Sequence, residues 1–195
     1  YYLNSGKYEE GRASFAREVQ ENPESALAHY YYGRFLLQGN DYKQALEHLK
    51  KARDLDPGNA DYHFWSGVAF GGLNDVKNEE ASYTEALQLD NDHLQSLIYL
   101  GHINLQRKQY ETALDLYSQA RDIWPDSPAA LYNRALILHQ LGRSPEERRG
   151  WLEYIARYPS GEMARKATDY LNMLGDFTFR NHRLGQQTAT IEKIW

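Results

Sequence analysis

Between Ala26 and Leu55 apolar residues recur three or four positions apart in two runs. Gly39-Asn40-Asp41 separates the runs, and Asp56-Pro57-Gly58-Asn59 closes the second. This spacing predicts helices over Ala26 to Gln38 and Tyr42 to Leu55, because apolar side chains at such intervals share one helix face. A second copy of the pattern predicts helices over Leu94 to Gln106 and Tyr110 to Ile123, with a break at 107–109 and a close at Trp124-Pro125-Asp126-Ser127. Each copy reads as a helical hairpin.

The copies lie on a common ruler of 34 residues. Pro23, Pro57, Pro125 and Pro159 are separated by multiples of 34, and the missing member falls on Asn91. Gly33, Gly67 and Gly101 keep the same phase and are followed by the small residue Ala135; Ala52, Ala86 and Ala120 form another column. Phe15, Leu49, Tyr83, Tyr117 and Trp151 form a third column that is always large and apolar. Counting from Ala26, the full repeats are 26–59, 60–93, 94–127 and 128–161, preceded by part of one in 1–25. A unit of this size cannot bury its apolar face alone, so the expected architecture is an all-α solenoid of stacked hairpins over 1–161. The glycines sit mid-helix at some cost in helix propensity, which implies close helix approach, with Ala45 and Ala113 as the expected opposing surface. The large column is expected to fill the layer between successive hairpins.

The marks Tyr32-Gly33, Tyr42, Ala45, Leu49, Ala52 and Pro57, repeated as Leu100-Gly101, Tyr110, Ala113, Tyr117, Ala120 and Pro125, resemble the tetratricopeptide repeat. The resemblance implies a right-handed α-α superhelix whose first helices line a concave groove for a peptide or a partner's helix. Three departures carry expectations. Glu79 and Asn91 replace the usual Ala and Pro, so the third hairpin should be the least regular. Glu147 and Tyr154 replace alanines in the last repeat, which implies looser packing. Ser144-Pro145-Glu146-Glu147 has the order of a capping box that opens the last second helix.

Past Pro159, Ser160 is placed to cap a further helix with an apolar stripe of Met163, Ala167, Tyr170, Leu171 and Leu174, stopped by Gly175. Such a helix, within 162–175, covers the last layer of a solenoid. Residues 176–195 then turn β-rich and read either as a hairpin folded on the last helices or as the start of a further domain. Phe179-Arg180-Asn181, Leu184-Gly185 and 188–194 resemble the connector that joins tetratricopeptide repeats to an outer-membrane-protein-A-like domain in some bacterial proteins. That likeness implies a periplasmic or outer-membrane-associated setting, with the cytoplasm as the alternative.

Charge changes the picture modestly. Residues 1–140 carry 13 basic and 20 acidic groups and 141–195 carry 9 and 7, which argues against a nucleic-acid partner. The longest apolar runs are too short to span a bilayer. With no cysteine, disulfides and thiolate metal sites are excluded. No catalytic or phosphate-binding motif appears, the histidines lack ligand spacing, and no cofactor or metal is expected. His29 and His63 occupy equivalent repeat positions and read as packing residues.

The groove is what remains. Residues three or four apart on the first helices mark its concave surface: Tyr30, Arg34 and Leu37; Phe64, Val68 and Gly71; Ile98, His102 and Leu105; Tyr132, Leu136 and His139. Arg34 and His102 are the expected polar anchors. Gly71 and Gly72 are expected to leave a gap where a partner approaches closely. The Lys and Asn of the modules that clamp a chaperone's C-terminal carboxylate are missing at these positions. The expected function is a non-catalytic scaffold that binds a protein or peptide. The alternatives are self-assembly, with a homodimer formed through the tail, or service as the adaptor arm of a larger envelope protein.

Overall fold

The computed structural model describes residues 7–175 and builds them as ten helices. In order these are α1 (Lys7–Glu21), α2 (Ala26–Gln38), α3 (Tyr42–Leu55), α4 (Ala60–Gly72) and α5 (Val76–Leu89), then α6 (Leu94–Gln106), α7 (Tyr110–Ile123), α8 (Pro128–Gln140), α9 (Ser144–Arg157) and α10 (Glu162–Met173). The chain divides into two compact units, 1–96 and 97–195. The β-like tail and its connector resemblance, at 176–195, lie outside the described residues.

In the first unit α2 packs on α3 and α4 on α5 as hairpins, while α1 on α2 and α3 on α4 join successive hairpins. In the second unit α8 pairs with α9, α7 packs on α8, and α10 packs on α9. The turns share one conformation: Asn40, Asn74 and Lys108 have φ near +60°, and Gly142 adopts φ +67° at the same point of the last hairpin. Helix starts follow the ruler too. Ser25, Asn59 and Ser127 accept backbone N–H bonds from Ala28, Asp61 and Ala130. At the equivalent position His93 Nδ1 accepts from the Ser96 amide at 3.3 Å, while its Nε2 lies 3.4 Å from Asp61. Each cap satisfies a donor that the first turn leaves open.

The close approach implied by the glycine column is real; the expected Ala45 contributes its backbone carbonyl at 3.2 Å from a Cβ at Gly33, but the nearest partner of each glycine in the column is the large residue. A Cβ at Gly33 would lie 2.8 Å from Leu49 Cγ, one at Gly67 2.5 Å from the Tyr83 ring, and one at Gly101 2.9 Å from the Tyr117 ring. The large column therefore seats on the small column of its own hairpin, sixteen residues earlier, instead of filling only the layer between hairpins. In the last hairpin the vacancy moves to the other helix, where a Cβ at Gly150 would meet Ala135 Cβ at 3.0 Å. Tyr83, Tyr117 and Trp151 are fully buried.

The third hairpin is as regular as its neighbours, contrary to expectation: α4 and α5 have 13 and 14 residues, the lengths of α2 and α3. Glu79 fits where Ala is usual because Gly71 makes room for its carboxylate, 2.8 Å from where a Cβ at 71 would stand. Tyr83 donates to the same carboxylate at 3.3 Å. Nor is the last hairpin loose. Glu147 is 1% exposed and accepts from His139 Nδ1 at 2.8 Å and Trp151 Nε1 at 3.2 Å. Tyr154 is buried against Tyr132 and Tyr158.

Two caps also differ from expectation. Ser144 is the first residue of α9 and Arg143 the cap, with no side-chain capping bond; the Arg143 guanidinium holds Glu146 in a bidentate pair at 2.8 and 2.7 Å, so no capping box forms. Before α10 the cap is Gly161, whose φ of +97° turns the chain one residue after Ser160. Along α10 Ala164, Ala167 and Leu171 are buried while Met163 is exposed. Gly175, at φ +85°, ends the helix as anticipated.

Candidate functional site

In the first unit the residues marked for the groove divide into a buried layer and a surface layer. Tyr30 is 7% exposed and Phe64 3%, and Leu37 is buried with them. The Tyr30 ring lies 5.0 Å from Tyr62 and the Phe64 ring 5.5 Å from Tyr83, so both serve the core rather than presenting a surface. Burial, with the nearby Asp61 carboxylate, raises the Tyr30 hydroxyl above its ordinary pKa.

What reaches the surface is built on that layer. Arg34, one turn after Tyr30, donates from Nη1 to the Tyr30 hydroxyl at 3.2 Å, and its guanidinium carbon stands 4.4 Å from the centroid of the Trp65 ring. A cation held over an indole face gains about 0.5–2 kcal/mol. Among the described residues Arg34 has no carboxylate partner in ion-pair range. Tyr31, 49% exposed, stands beside Tyr30 with ring centroids 5.1 Å apart, and Val68 is half-buried on the core. Tyr31 and Trp65 belong to a column, continued by the exposed Tyr99, that the sequence reasoning missed. Its signal was available, since Tyr31, Trp65 and Tyr99 are 34 apart.

The glycine pair leaves no gap. A Cβ at Gly72 would fall 2.3 Å from the Tyr42 ring, and Gly71 faces Glu79. Both vacancies are filled by the chain's own side chains, which corrects the expected opening at this point.

In the second unit Ile98 and Leu105 are half-buried against Ala113, Leu114 and Tyr117. His102 is exposed and accepts at Nε2 from Gln106 at 2.8 Å. Tyr132 meets Trp151 and Tyr154 edge-on, with centroids 5.2 and 5.3 Å away, and Leu136 packs on the same cluster. His139 is committed to Glu147, and Tyr170 of α10 lies 4.8 Å from its ring. The last helix therefore takes up the His139 position, so this residue is part of the internal packing.

His29, read as a packing residue, and His48 form a pair with Nδ1 atoms 3.0 Å apart. His29 Nε2 donates to the Pro23 carbonyl at 3.0 Å, so its Nδ1 accepts from His48. Burial, and after it the neighbouring His29, lowers the His48 pKa. Among the described residues no group of three or more His, Asp or Glu is arranged to hold a metal, and no helix is long and apolar enough to cross a membrane.

Among the described residues α2 with α3, α4 with α5 and α8 with α9 pack as hairpins on a 34-residue ruler. The model described as "Tetratricopeptide repeat" matches residues 1–60 and 36–93, and the one described as "TPR repeat" matches 101–142. The chain belongs to the tetratricopeptide-repeat family. Together these matches span more than half of the chain, and they stop short of the C-terminal tail. Photosystem I assembly protein Ycf3 of Acaryochloris marina is 34% identical over 88 residues, which cover 44% of this chain and 53% of the relative. The chain thus spans about half the length of that curated relative. The tetratricopeptide protein YrrB, described as having an unusual peptide-binding site, superposes with a TM-score of 0.71 at 16% identity, over 92% of this chain and 96% of YrrB. The first tetratricopeptide domain of Spaghetti (RPAP3), bound to the HSP90 peptide SRMEEVD, superposes with a TM-score of 0.56 at 20% identity, over 60% and 93% of the two chains. At these identities the structural likeness establishes the fold, an all-α tetratricopeptide solenoid.

Proposed function

We propose that this chain is a non-catalytic scaffold that holds a peptide or extended partner segment against the faces of its first helices. The observation that carries this reading is the Arg34 guanidinium, held over Trp65 by the Tyr30 hydroxyl and without an ion-paired carboxylate among the described residues, beside the exposed Tyr31. A cation fixed in this way loses little side-chain freedom when it bonds a partner's carbonyl or carboxylate. Aromatic side chains next to it supply apolar area at low entropic cost. The peptide bound by the RPAP3 domain and the peptide-binding site of YrrB show that the fold supports such a role, and Ycf3 is an assembly protein.

In the second unit the exposed His102 is the corresponding polar group, with Ile98, Leu105, Tyr132 and Leu136 supplying partly buried apolar area. The same reading takes 1–161 as the repeat array and 162–175 as the cover of its last layer; the stacking of Tyr170 on Trp151, 4.8 Å apart and nearly parallel, supports that division. The test is a peptide selection on the intact chain, followed by affinity measurement with Arg34→Ala and Tyr31→Ala, two changes that leave the core in place. Selected peptides should bind the double variant at least tenfold more weakly while its helical circular dichroism is unchanged. Equal affinity for both proteins would remove this face from the proposal.

A further inference from the structure

The second unit carries a polar pocket that the peptide-binding reading does not use. It has a volume of about 490 Å³ and is lined by Arg121, Arg134, Arg149 and Arg157 with Glu146 and Glu153, over Leu152 and Ala156. Arg134 lies on α8 two residues from both Tyr132 and Leu136. At 3.6 residues per turn that is roughly 200° around the helix, so the pocket faces away from the first-helix surface.

Its charges are unevenly satisfied. Glu146 is held by Arg143, Glu153 by Arg157 at 3.4 Å, Arg157 also by Asp126 at 2.9 Å, and Arg121 by Asp122. Arg134 is half-buried and its Nε donates to Ser118 Oγ at 3.2 Å, yet among the described residues it makes no ion pair. Arg149 is exposed and makes neither an ion pair nor a hydrogen bond among them. Burial, and after it Arg121, lowers the Arg134 pKa, while Glu153, Glu146 and Asp122 act in the opposite direction. Two guanidiniums with open donors therefore line one pocket together with Leu152 and Ala156, in a chain whose formal net charge is -5.

We propose that this pocket binds the oxyanion side chains of an acidic segment of a partner polypeptide, with Arg134 and Arg149 as the direct donors and Leu152 and Ala156 receiving the segment's aliphatic parts. Guanidinium forks match the two oxygens of a carboxylate or the oxygens of a phosphate, so either can supply the anion. A pocket of this size holds more than a lone inorganic ion and suits a short stretch of side chains.

The intact chain is titrated at low ionic strength with two fluorescent peptides of one length, one with four consecutive glutamates and one with a phosphoserine in a neutral background. Saturable binding of either peptide, weakened about tenfold by Arg149→Gln and again by Arg134→Gln, is the expected result, and the peptide that binds identifies the oxyanion. Arg149 is exposed, so its substitution reports on binding even where Arg134→Gln lowers the melting temperature. The Arg34→Ala, Tyr31→Ala variant should bind both peptides as the parent does, which separates this pocket from the first-helix face. The proposal is overturned if neither peptide binds saturably, or if Arg149→Gln and Arg134→Gln leave the affinities unchanged.

Discussion

Replacing Gly67 by Ala pits two opposite effects against each other within one hairpin. Gly67 is in the middle of α4 with no special backbone angle, so helix propensity alone predicts that Ala stabilises the protein by about 1 kcal/mol. The new Cβ, however, would stand 2.5 Å from the Tyr83 ring, where ordinary contact begins about 1 Å further out. The ring cannot swing away: Tyr83 is fully buried, Phe64 lies 5.5 Å from its centroid, and its hydroxyl is tied to Glu79. Overpacking of this kind costs about 1–3 kcal/mol, and an overlap with a fixed ring belongs at the upper end. Subtracting the propensity gain leaves a net destabilisation of about 2 kcal/mol.

The measurement is urea unfolding followed by circular dichroism and tryptophan fluorescence. Hydrogen exchange in α4 and α5 serves as a local readout, since repeat arrays need not unfold in one step. A second variant sharpens the result. Tyr83→Leu recreates the pairing seen at Gly33 and Leu49, so Gly67→Ala should cost about 1 kcal/mol less in that background than alone. If Gly67→Ala stabilises the protein by the propensity value, the seating of the large column on the small one is wrong.

Three further outcomes follow from the same geometry. Glu147→Ala should destabilise the second unit by about 3 kcal/mol, because it leaves the buried Trp151 N–H and the His139 N–H without an acceptor; the urea midpoint read by tryptophan fluorescence measures it. Tyr117 is pushed up to about 12 by burial, against which its bond from Asn133 acts only weakly. The unfolded chain therefore gives up this proton from about pH 10 while the folded chain keeps it. This group should lower stability by up to about 3 kcal/mol as pH rises from 10 to 12, a part of the decline in urea midpoint that Tyr117→Phe should lack. His48 is held below the ordinary histidine value, so the folded state resists its protonation. Stability should be complete above about pH 6.5 and fall as pH drops below it, with a shallower decline in His48→Gln when urea midpoints are compared across pH.

Periodicity made the elements legible because a helix face and a repeat are both statements about spacing. The bounds of α2, α3, α6 and α7 follow from apolar intervals and turn residues, which act within a few positions of the chain. Which side chain fills a given space depends on two helices at once, and a single column of the ruler does not contain that information. It appears when two columns eight residues apart are compared. Leu37 with Ala45 and Leu105 with Ala113 give the common pair, while Gly71 with Glu79 and His139 with Glu147 show each larger acidic residue accompanied by a change at its partner position. The two glutamates that look like defects in one column are therefore compensated, the first by space and the second by a hydrogen bond.

The candidate surface was misjudged for a related reason. A first helix in such an array is flanked by its own second helix, by the second helix of the preceding hairpin and by neighbouring first helices, so a position facing away from one partner can still face another. Tyr30 and Phe64 lie in that shared layer, and the surface passes to their sequence neighbours Tyr31 and Trp65. Arg34 stays half-buried, its guanidinium carbon 4.4 Å from the centroid of the Trp65 ring. The first-helix face therefore depends on an aromatic layer beneath it: Tyr30 and Trp65 orient the cation, and Tyr62, packed against Tyr30, holds the layer in place. Tyr30→Phe keeps that packing and removes only the hydroxyl that receives Arg34. It should therefore weaken a bound peptide without lowering the urea midpoint, whereas a loss of stability with unchanged affinity would assign Tyr30 to the fold alone.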